Sequence, residues 1–332
     1  MAARTVLRGQ CPGVGASGVL LGGGLGWLSG LHGASCDNLV SARVVTADGR
    51  IVTADANHNA DLFWALRGAG ANFGITTSFE VKLHPINKIT GGDLHYAAKD
   101  ARVLLRAFRE VMDAAADAFQ ATLNLTRAER GVFVNFCHAG SEVEAERTLR
   151  ALRAIAPVTK EFVKRQEFGV FAERPAATNP ANTALPAFRG IQTVYRDQLA
   201  DELIDLIIDR FEQAAPEAIM GISHYMHGEV CRMAPTATAF SLRDAGALNV
   251  RLAYTWNDDV TGHRLTQWAD ESLRLLRPPN NERIYANFQT YEAPRGAAAV
   301  YGVNHQRLAR IKQKYDPDNF FRRNSNIAPS PG

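Results

Sequence analysis

The chain gathers its most chemically suggestive residues near its start. Gly18-Val-Leu-Leu-Gly-Gly-Gly-Leu-Gly-Trp27 is followed closely by Cys36-Asp-Asn-Leu39, and it begins seventeen residues after Met1. Gly22, Gly23, Gly24 and Gly26 make a backbone that turns sharply and comes close to a flat or anionic group. Leu20, Leu21, Leu25 and Trp27 are apolar enough to bury that loop. The four cysteines, Cys11, Cys36, Cys137 and Cys231, stand far apart with no C-x-x-C pair, so neither a metal site nor a disulfide framework is expected. Tyr225 and His227 share one face of a strand, and Tyr254 and Trp256 one face of another. An aromatic sheet surface packed under helices accounts for Trp256 more simply than ligand contact does.

These residues need a scaffold, and 332 residues suffice for two domains or one large one. Apolar residues are 46% and charged residues 21%, ordinary for a globular protein. With a net charge of +3 and no run of like charges, neither nucleic acid nor an anionic membrane is an expected partner. Arg4 and Arg8 followed by residues 11–31 superficially resemble a signal peptide. Eight glycines between Gly13 and Gly30, each costing about 1 kcal/mol of helix relative to Ala, argue against one. No stretch reaches the ~20 apolar residues of a membrane span, and a soluble cytoplasmic protein is expected.

Patterning predicts a hairpin over 38–54 turning at Asp48-Gly49, a helix from Asn59 to Arg67 closed by Gly68, and a strand from Ile75 to Leu83. Beyond Pro85 it predicts a helix over 100–118, with Val103, Leu104, Ala107, Phe108, Val111 and Met112 on one face. Paired strands at Thr122–Thr126 and Gly131–Phe136 precede a helix from Ser141 to about Ile155. A proline-bearing surface loop is expected over 172–190. Helices come next at Leu199–Ala214 and Gly262–Leu276, with strands near Gly221–Met226 and Asn249–Trp256. A short strand, Tyr285–Phe288, and a basic helix, Asn304–Tyr315, close the chain. In that helix Arg307, Arg310, Lys312 and Lys314 read as a solvated face. Strand pairs alternating with helices predict an α+β protein with helices on one face of an antiparallel sheet.

Several motifs occur in a fixed order: Cys11-Pro-Gly-Val-Gly15, Leu21-Gly-Gly-Gly-Leu-Gly-Trp27, Cys36-Asp-Asn-Leu39, Val44-Val-Thr-Ala-Asp-Gly-Arg50, Asp61-Leu-Phe-Trp-Ala-Leu-Arg-Gly68 and Asn72-Phe-Gly-Ile75. Tyr315-Asp-Pro-Asp-Asn-Phe-Phe-Arg322 and Asn326-Ile327 complete the set. Together they resemble FAD-linked oxidases of the berberine-bridge-enzyme type, whose flavin domain is of the vanillyl-alcohol-oxidase (PCMH) kind. The specific likeness covers 11–85 and 285–328. The middle matches in pattern only, best at Gly228–Asp244.

The resemblance implies a discontinuous FAD domain (1–88, second subdomain only, completed by 284–332) around a substrate-binding α+β domain (89–283) with a large antiparallel sheet. Bound FAD would contact Cys11, Gly13, Val14, Gly15 and Gly18, the loop Gly22, Gly23, Gly24 and Gly26, Asn38, Gly74 and Ile75 along the nucleotide, and Asn287. Some members attach the flavin through a cysteine at the position of Cys11, although an unpaired cysteine is more often a small buried hydrophobe. Val14 stands where the family carries an oxygen-gating residue, and valine is the permissive choice.

The implied chemistry is hydride removal from a C–H next to an alcohol or amine of a small-molecule substrate, with O2 as acceptor giving H2O2. Many members place a basic tyrosine directly after the asparagine of the C-terminal strand, but here the pair is Asn287-Phe288, and phenylalanine does no acid–base work. Tyr291 is the nearby substitute, although at i+3 along a strand it points away from the face of Phe288. His227 is the other catalytic candidate, on the sheet that roofs the flavin in the family. Family members also carry an earlier flavin subdomain with an Arg-Gly-Gly-Gly-His segment. The expectation is therefore an N-terminally truncated, incomplete FAD domain, and a non-catalytic remnant of such an enzyme is the alternative.

Overall fold

Alternating apolar runs, capped helical stripes and glycine turns produce a succession of short elements in the computed structural model, which describes residues 4–7, 9–128, 131–174, 188–278, 283–288 and 296–331. The first half contains β1 (Arg4–Thr5), α1 (Ala16–Leu21), α2 (Ser29–His32), β2 (Leu39–Val45), β3 (Ile51–Asp55), α3 (Ala60–Ala69), β4 (Ile75–Val81), β5 (His84–Pro85), β6 (Ile89–Tyr96), α4 (Ala101–Asp113), β7 (Phe119–Thr126), β8 (Val132–His138), α5 (Glu142–Arg153) and β9 (Val158–Gln166). Then come α6 (Phe168–Ala172), β10 (Phe188–Arg196), α7 (Asp201–Glu212), β11 (Ala218–Ser223), α8 (Glu229–Arg232), β12 (Leu248–Trp256), α9 (Asp259–Leu276), α10 (Ala297–Tyr301) and α11 (His305–Tyr315).

The chain divides into two units. The first comprises Met1–Pro85, Glu229–Arg243 and Arg283–Gly332, and the second Ile86–Gly228 and Asp244–Glu282. In the first, β3-β2-β4 form an antiparallel sheet whose inner residues Leu39, Ala42, Val44 and Ala54 pack on Leu62, Trp64, Ala65 and Leu66 of α3. The hairpin turns at Gly49 (φ 80°), a conformation open to glycine. From α11, Leu308, Ile311 and Tyr315 join the same core.

The excursion Glu229–Arg243 is stitched into this unit. Trp64 Nε1 donates to Thr236 O (2.9 Å), and Asn304 Nδ2 donates to Pro235 O and Thr238 O (2.8 and 3.0 Å). At its end the Arg243 guanidinium donates to both oxygens of Asp37 (2.7 and 2.6 Å), with both side chains buried.

The second unit is a seven-stranded, wholly antiparallel sheet in the order β10-β12-β11-β7-β8-β6-β9. Helices α4, α5, α7 and α9 cover one face, burying Leu104, Phe108, Leu152, Ile204, Ile207 and Leu265 against Leu123, Leu125, Val134, Met220 and Val250. The α+β architecture agrees with the sequence, and α5 opens on the capping box Ser141/Glu144.

Local details differ. The buried stripe of α4 is Ala101, Leu104, Leu105, Phe108 and Met112, so Val103 sits outside it and is 47% exposed. Residues Ala286–Phe288 form a 3₁₀ turn, not a strand, so a strand alternation counted onward from Phe288 does not apply. Of the loop expected over 172–190, residues 175–187 lie outside the described residues and Phe188 opens β10. Trp256 is packed under a helix as expected, against Gly262 of α9.

Candidate functional site

The glycine loop of the first unit is held by the chain's own atoms. Gly23 and Gly24 have φ of 117° and 84°, which glycine alone adopts without strain. A Cβ at Gly22 would collide with Asn287, at Gly23 with the Phe240 ring, and at Gly24 with Ser35. The loop N–H groups are also committed. Gly22 donates to Gly18 O (3.1 Å), Gly23 to Leu20 O (3.4 Å), and Gly26 to Ser29 Oγ (2.8 Å). Gly24 and Leu25 both donate to Tyr285 Oη (3.0 and 3.1 Å). These N–H groups are thus paired within the chain, and the loop's geometry serves tight internal packing.

Tyr285 is the hub that sequence reasoning missed. Its Oη also accepts from Asn287 Nδ2 (2.9 Å), and that amide donates to Val19 O (3.2 Å) as well. Burial raises the Tyr285 pKa above the ordinary phenol range although three N–H donors pull it down, so it stays a neutral acceptor.

Asn38 is likewise paired within the chain. Its Nδ2 donates to His32 O and Ala34 O (2.9 Å each), and its Oδ1 meets His84 Nε2 (2.6 Å), which leaves this buried amide no face for a cofactor. The His32 and His84 rings stack at 3.9 Å. Gly74, too, packs on β2, since a Cβ there would strike Val44 and Val45, whereas the adjacent Ile75 is 59% exposed. Asn72 holds the C-terminal tail instead of a nucleotide, donating to Tyr301 Oη (3.0 Å) and accepting from Ile327 N (3.0 Å). Cys36 is fully buried, and burial first, then Asp37, pushes its thiol well above the ordinary value.

The segment Cys11–Gly18 behaves oppositely. Cys11 is an exposed free thiol, and Val14 is 50% exposed. Gly13, Gly15 and Gly18 have nothing within 4 Å of where a Cβ would stand, and none has positive φ. Neither strain nor crowding inside the chain requires glycine at these three positions. That bare, open backbone fits the close approach of a broad planar cofactor.

The catalytic candidates fare differently. Tyr291 lies outside the described residues. His227, in the second unit, is half-buried and lies beyond the end of β11 at Ser223, so the shared strand face with Tyr225 does not exist. Tyr225 is a core residue whose Oη donates to Asp113 Oδ1 (2.5 Å). Lys312, expected in solvent, is fully buried, its Nζ donating to Asp316 Oδ2 (2.6 Å), Asn72 O (2.7 Å) and Phe321 O (2.9 Å). Its place on the inward stripe 308, 311, 312, 315 was legible in the sequence.

A family model for an FAD binding domain matches residues 5–55, and one described as berberine and berberine-like matches 284–328. The chain is 31% identical to the FAD-linked oxidoreductase OXR1 of Pyricularia oryzae over 96% of its own length and 66% of that protein. It is 26% identical to a chitooligosaccharide oxidase of Gibberella zeae, over 98% and 70%. The solved structure of Physcomitrella patens BBE-like 1 shares its fold, with a TM-score of 0.84 at 22% identity over 100% of this chain and 74% of that one. The chain thus spans 66 to 74% of the length of these relatives. By these matches at both ends and across its length, the chain belongs to the berberine-bridge-enzyme-like family of FAD-linked oxidoreductases.

Proposed function

We propose that the protein is the flavin-facing and substrate-binding part of an oxidase that takes hydride from a C–H beside an alcohol or amine. The observation that carries this is the open segment Cys11–Gly18, a turn that leads into the first residues of α1, where neither packing nor φ requires any of the three glycines. Bound FAD supplies a two-electron acceptor that passes its electrons to O2, so the substrate loses two hydrogens and H2O2 forms. The protein's part is placement. Gly13, Gly15 and Gly18 let the backbone approach the cofactor, exposed Val14 leaves room for oxygen beside it, and the Cys11 thiol is the attachment point. Tyr285 and Asn287 act indirectly, holding the glycine loop that precedes Cys36. A base near the substrate must take the hydroxyl or amine proton, and Tyr291 and His227 are its candidates, since Phe288 has no titratable group.

The functional boundaries proposed are a flavin part, 1–88 with 284–332, and a substrate part, 89–283. The excursion Glu229–Arg243 serves the flavin part, because its hydrogen bonds go to Asp37, Trp64 and Asn304. The test is flavin absorbance in acid-precipitated protein purified in the presence of excess FAD. A yellow pellet that Cys11→Ser turns colourless is expected. A colourless pellet and a colourless native protein alike would remove the proposal.

A further inference from the structure

At one corner of the second unit, β6 and β7 leave the sheet on either side of β8. Tyr96 and Leu125 both pair with Val132, so the two strands end together at the same end of the sheet. The start of α4 and the end of α7 also meet there, around a cleft of about 640 Å³. That volume lies within the ~300–1,000 Å³ of small-molecule sites. The floor is apolar: Ile208 and Phe211, one turn apart on α7, and Ala101 of α4 are each at most 5% exposed and belong to the core. The walls are basic. Lys99, Arg102 and Arg127 line the cleft, all exposed, against the single carboxylate of Glu212.

The three cations differ in what holds them. Arg102 of α4 donates to the Asp205 carboxylate of α7, which balances its charge. Arg127 donates one N–H to the Glu212 carbonyl at the end of α7, and among the described residues its remaining donors are uncommitted. Among the same residues Lys99 has neither a hydrogen bond nor an ion pair. With Asp205 set against Arg102, and Glu212 against one of the other two, one positive charge remains over. The helix α4 adds to it, having no acidic residue in its first turn and no side-chain cap. Exposed cations alone are ordinary surface. Their place on the rim of a cleft floored by an aromatic ring and an isoleucine is what fits a ligand of two parts, one charged and one apolar.

We propose that this cleft binds an organic monocarboxylate, its apolar body against Phe211 and Ile208 and its carboxylate between Arg127 and Lys99. A guanidinium fork takes a carboxylate through two N–H bonds, and the lysine ammonium adds a point charge. The single surplus charge favours a monoanion over a phosphate dianion, and the cationic rim repels an amine. None of these residues takes part in the flavin chemistry proposed above, so the ligand is a second one and not the substrate. Its occupancy joins the start of α4 to the end of α7 and thereby stabilises the second unit.

Calorimetry on the whole protein tests this without turnover, with 4-phenylbutanoate as the probe. The comparators are 4-phenylbutan-1-ol, 4-phenylbutylamine, acetate and phenyl phosphate. The acid is expected to bind at least about tenfold more tightly than the alcohol or the amine, which share its body and lack its charge. Acetate, which has the charge and no body, is expected to bind more weakly as well. Arg127→Gln is expected to weaken binding of the acid about tenfold. Lys99→Gln is expected to weaken it about threefold and to leave the melting temperature unchanged, since this exposed side chain holds nothing in the fold. Should Arg127→Gln unfold α7, Lys99→Gln carries the test alone. No saturable binding of the acid, an alcohol that binds as tightly, tighter binding of phenyl phosphate, or an affinity unaltered by Lys99→Gln and Arg127→Gln would each overturn the proposal.

Discussion

Replacing Tyr285 with Phe removes one oxygen and keeps the ring, including its edge contact with Phe240 at 6.0 Å. That oxygen is the acceptor for the buried N–H groups of Gly24 and Leu25. An orphaned buried donor costs about 1–3 kcal/mol. Asn287, the third donor, is exposed and turns to water, so it adds little. The sum is about 3 kcal/mol, carried by a unit of roughly 150 residues. At about 2–4 °C per kcal/mol, the first unit's melting transition falls by about 6–12 °C. Hydrogen exchange supplies the local readout: the amides of residues 24 and 25 lose protection in Tyr285→Phe, while those of the seven-stranded sheet keep theirs. Asn287→Ala, which removes hydrogen bonds from an exposed amide, lowers stability by only about 0.5–1.5 kcal/mol. A Tyr285→Phe protein melting within about 1 °C of wild type, with loop protection intact, refutes the assignment of Tyr285 as the loop's anchor.

Other perturbations have expected outcomes. Lys312→Met strands the buried Asp316 carboxylate and costs about 3–5 kcal/mol, and adding Asp316→Asn recovers part of it, as denaturant melts will show. Burial first and the mutual proximity of the rings second lower the His32 pKa, while burial and then Lys82 lower that of His84; Glu229 opposes the shift at His32. Both folded values lie below the unfolded value of about 6.5, so the unfolded chain takes up protons first and stability falls as pH drops through that value. His84→Gln flattens this slope in thermal melts between about pH 7 and pH 5. Gly23→Ala, with φ of 117° and Phe240 in the way, destabilises the first unit, whereas Gly15→Ala leaves the melt unchanged and lowers the flavin recovered with the protein.

The sequence carried the fold wherever one side chain or one period decided the local structure. Ser141 and Glu144 announce α5, Asp48-Gly49 the β2–β3 turn, and the alternation at 122–126 the pairing of β7 with β8. The strands at 158–166 and 188–196 escaped notice because β9 and β10 are the two edges of the sheet. Edge strands are polar by necessity, since charge there discourages pairing with other chains, and that polarity hides the strand pattern. Burial of Lys312 was misjudged because charge was weighed above its position on the α11 stripe. The partners of Gly22–Gly26 were not legible at all: Tyr285 and Asn287 lie some 260 residues away, and only the folded chain brings them together.

Glycine content alone cannot say whether a backbone is kept bare for a ligand or for the chain's own packing, because both need the Cβ to be missing. The structure separates the two by what the absent Cβ would have met. At Gly22, Gly23, Gly24 and Gly74 it would have met the protein, so the chain's own packing is enough to require glycine there. At Gly13, Gly15 and Gly18 it would have met open space, so internal packing does not require glycine there, and these are the positions proposed to face a cofactor. The glycines proposed to face a cofactor therefore lie upstream of the most conspicuous glycine run, in the segment that also carries the exposed Cys11. The conspicuous run keeps a different role: through Ser35 and Cys36, whose N–H groups donate to Gly24 O and Gly23 O (2.7 and 2.8 Å), it sets the path from that turn into the first sheet.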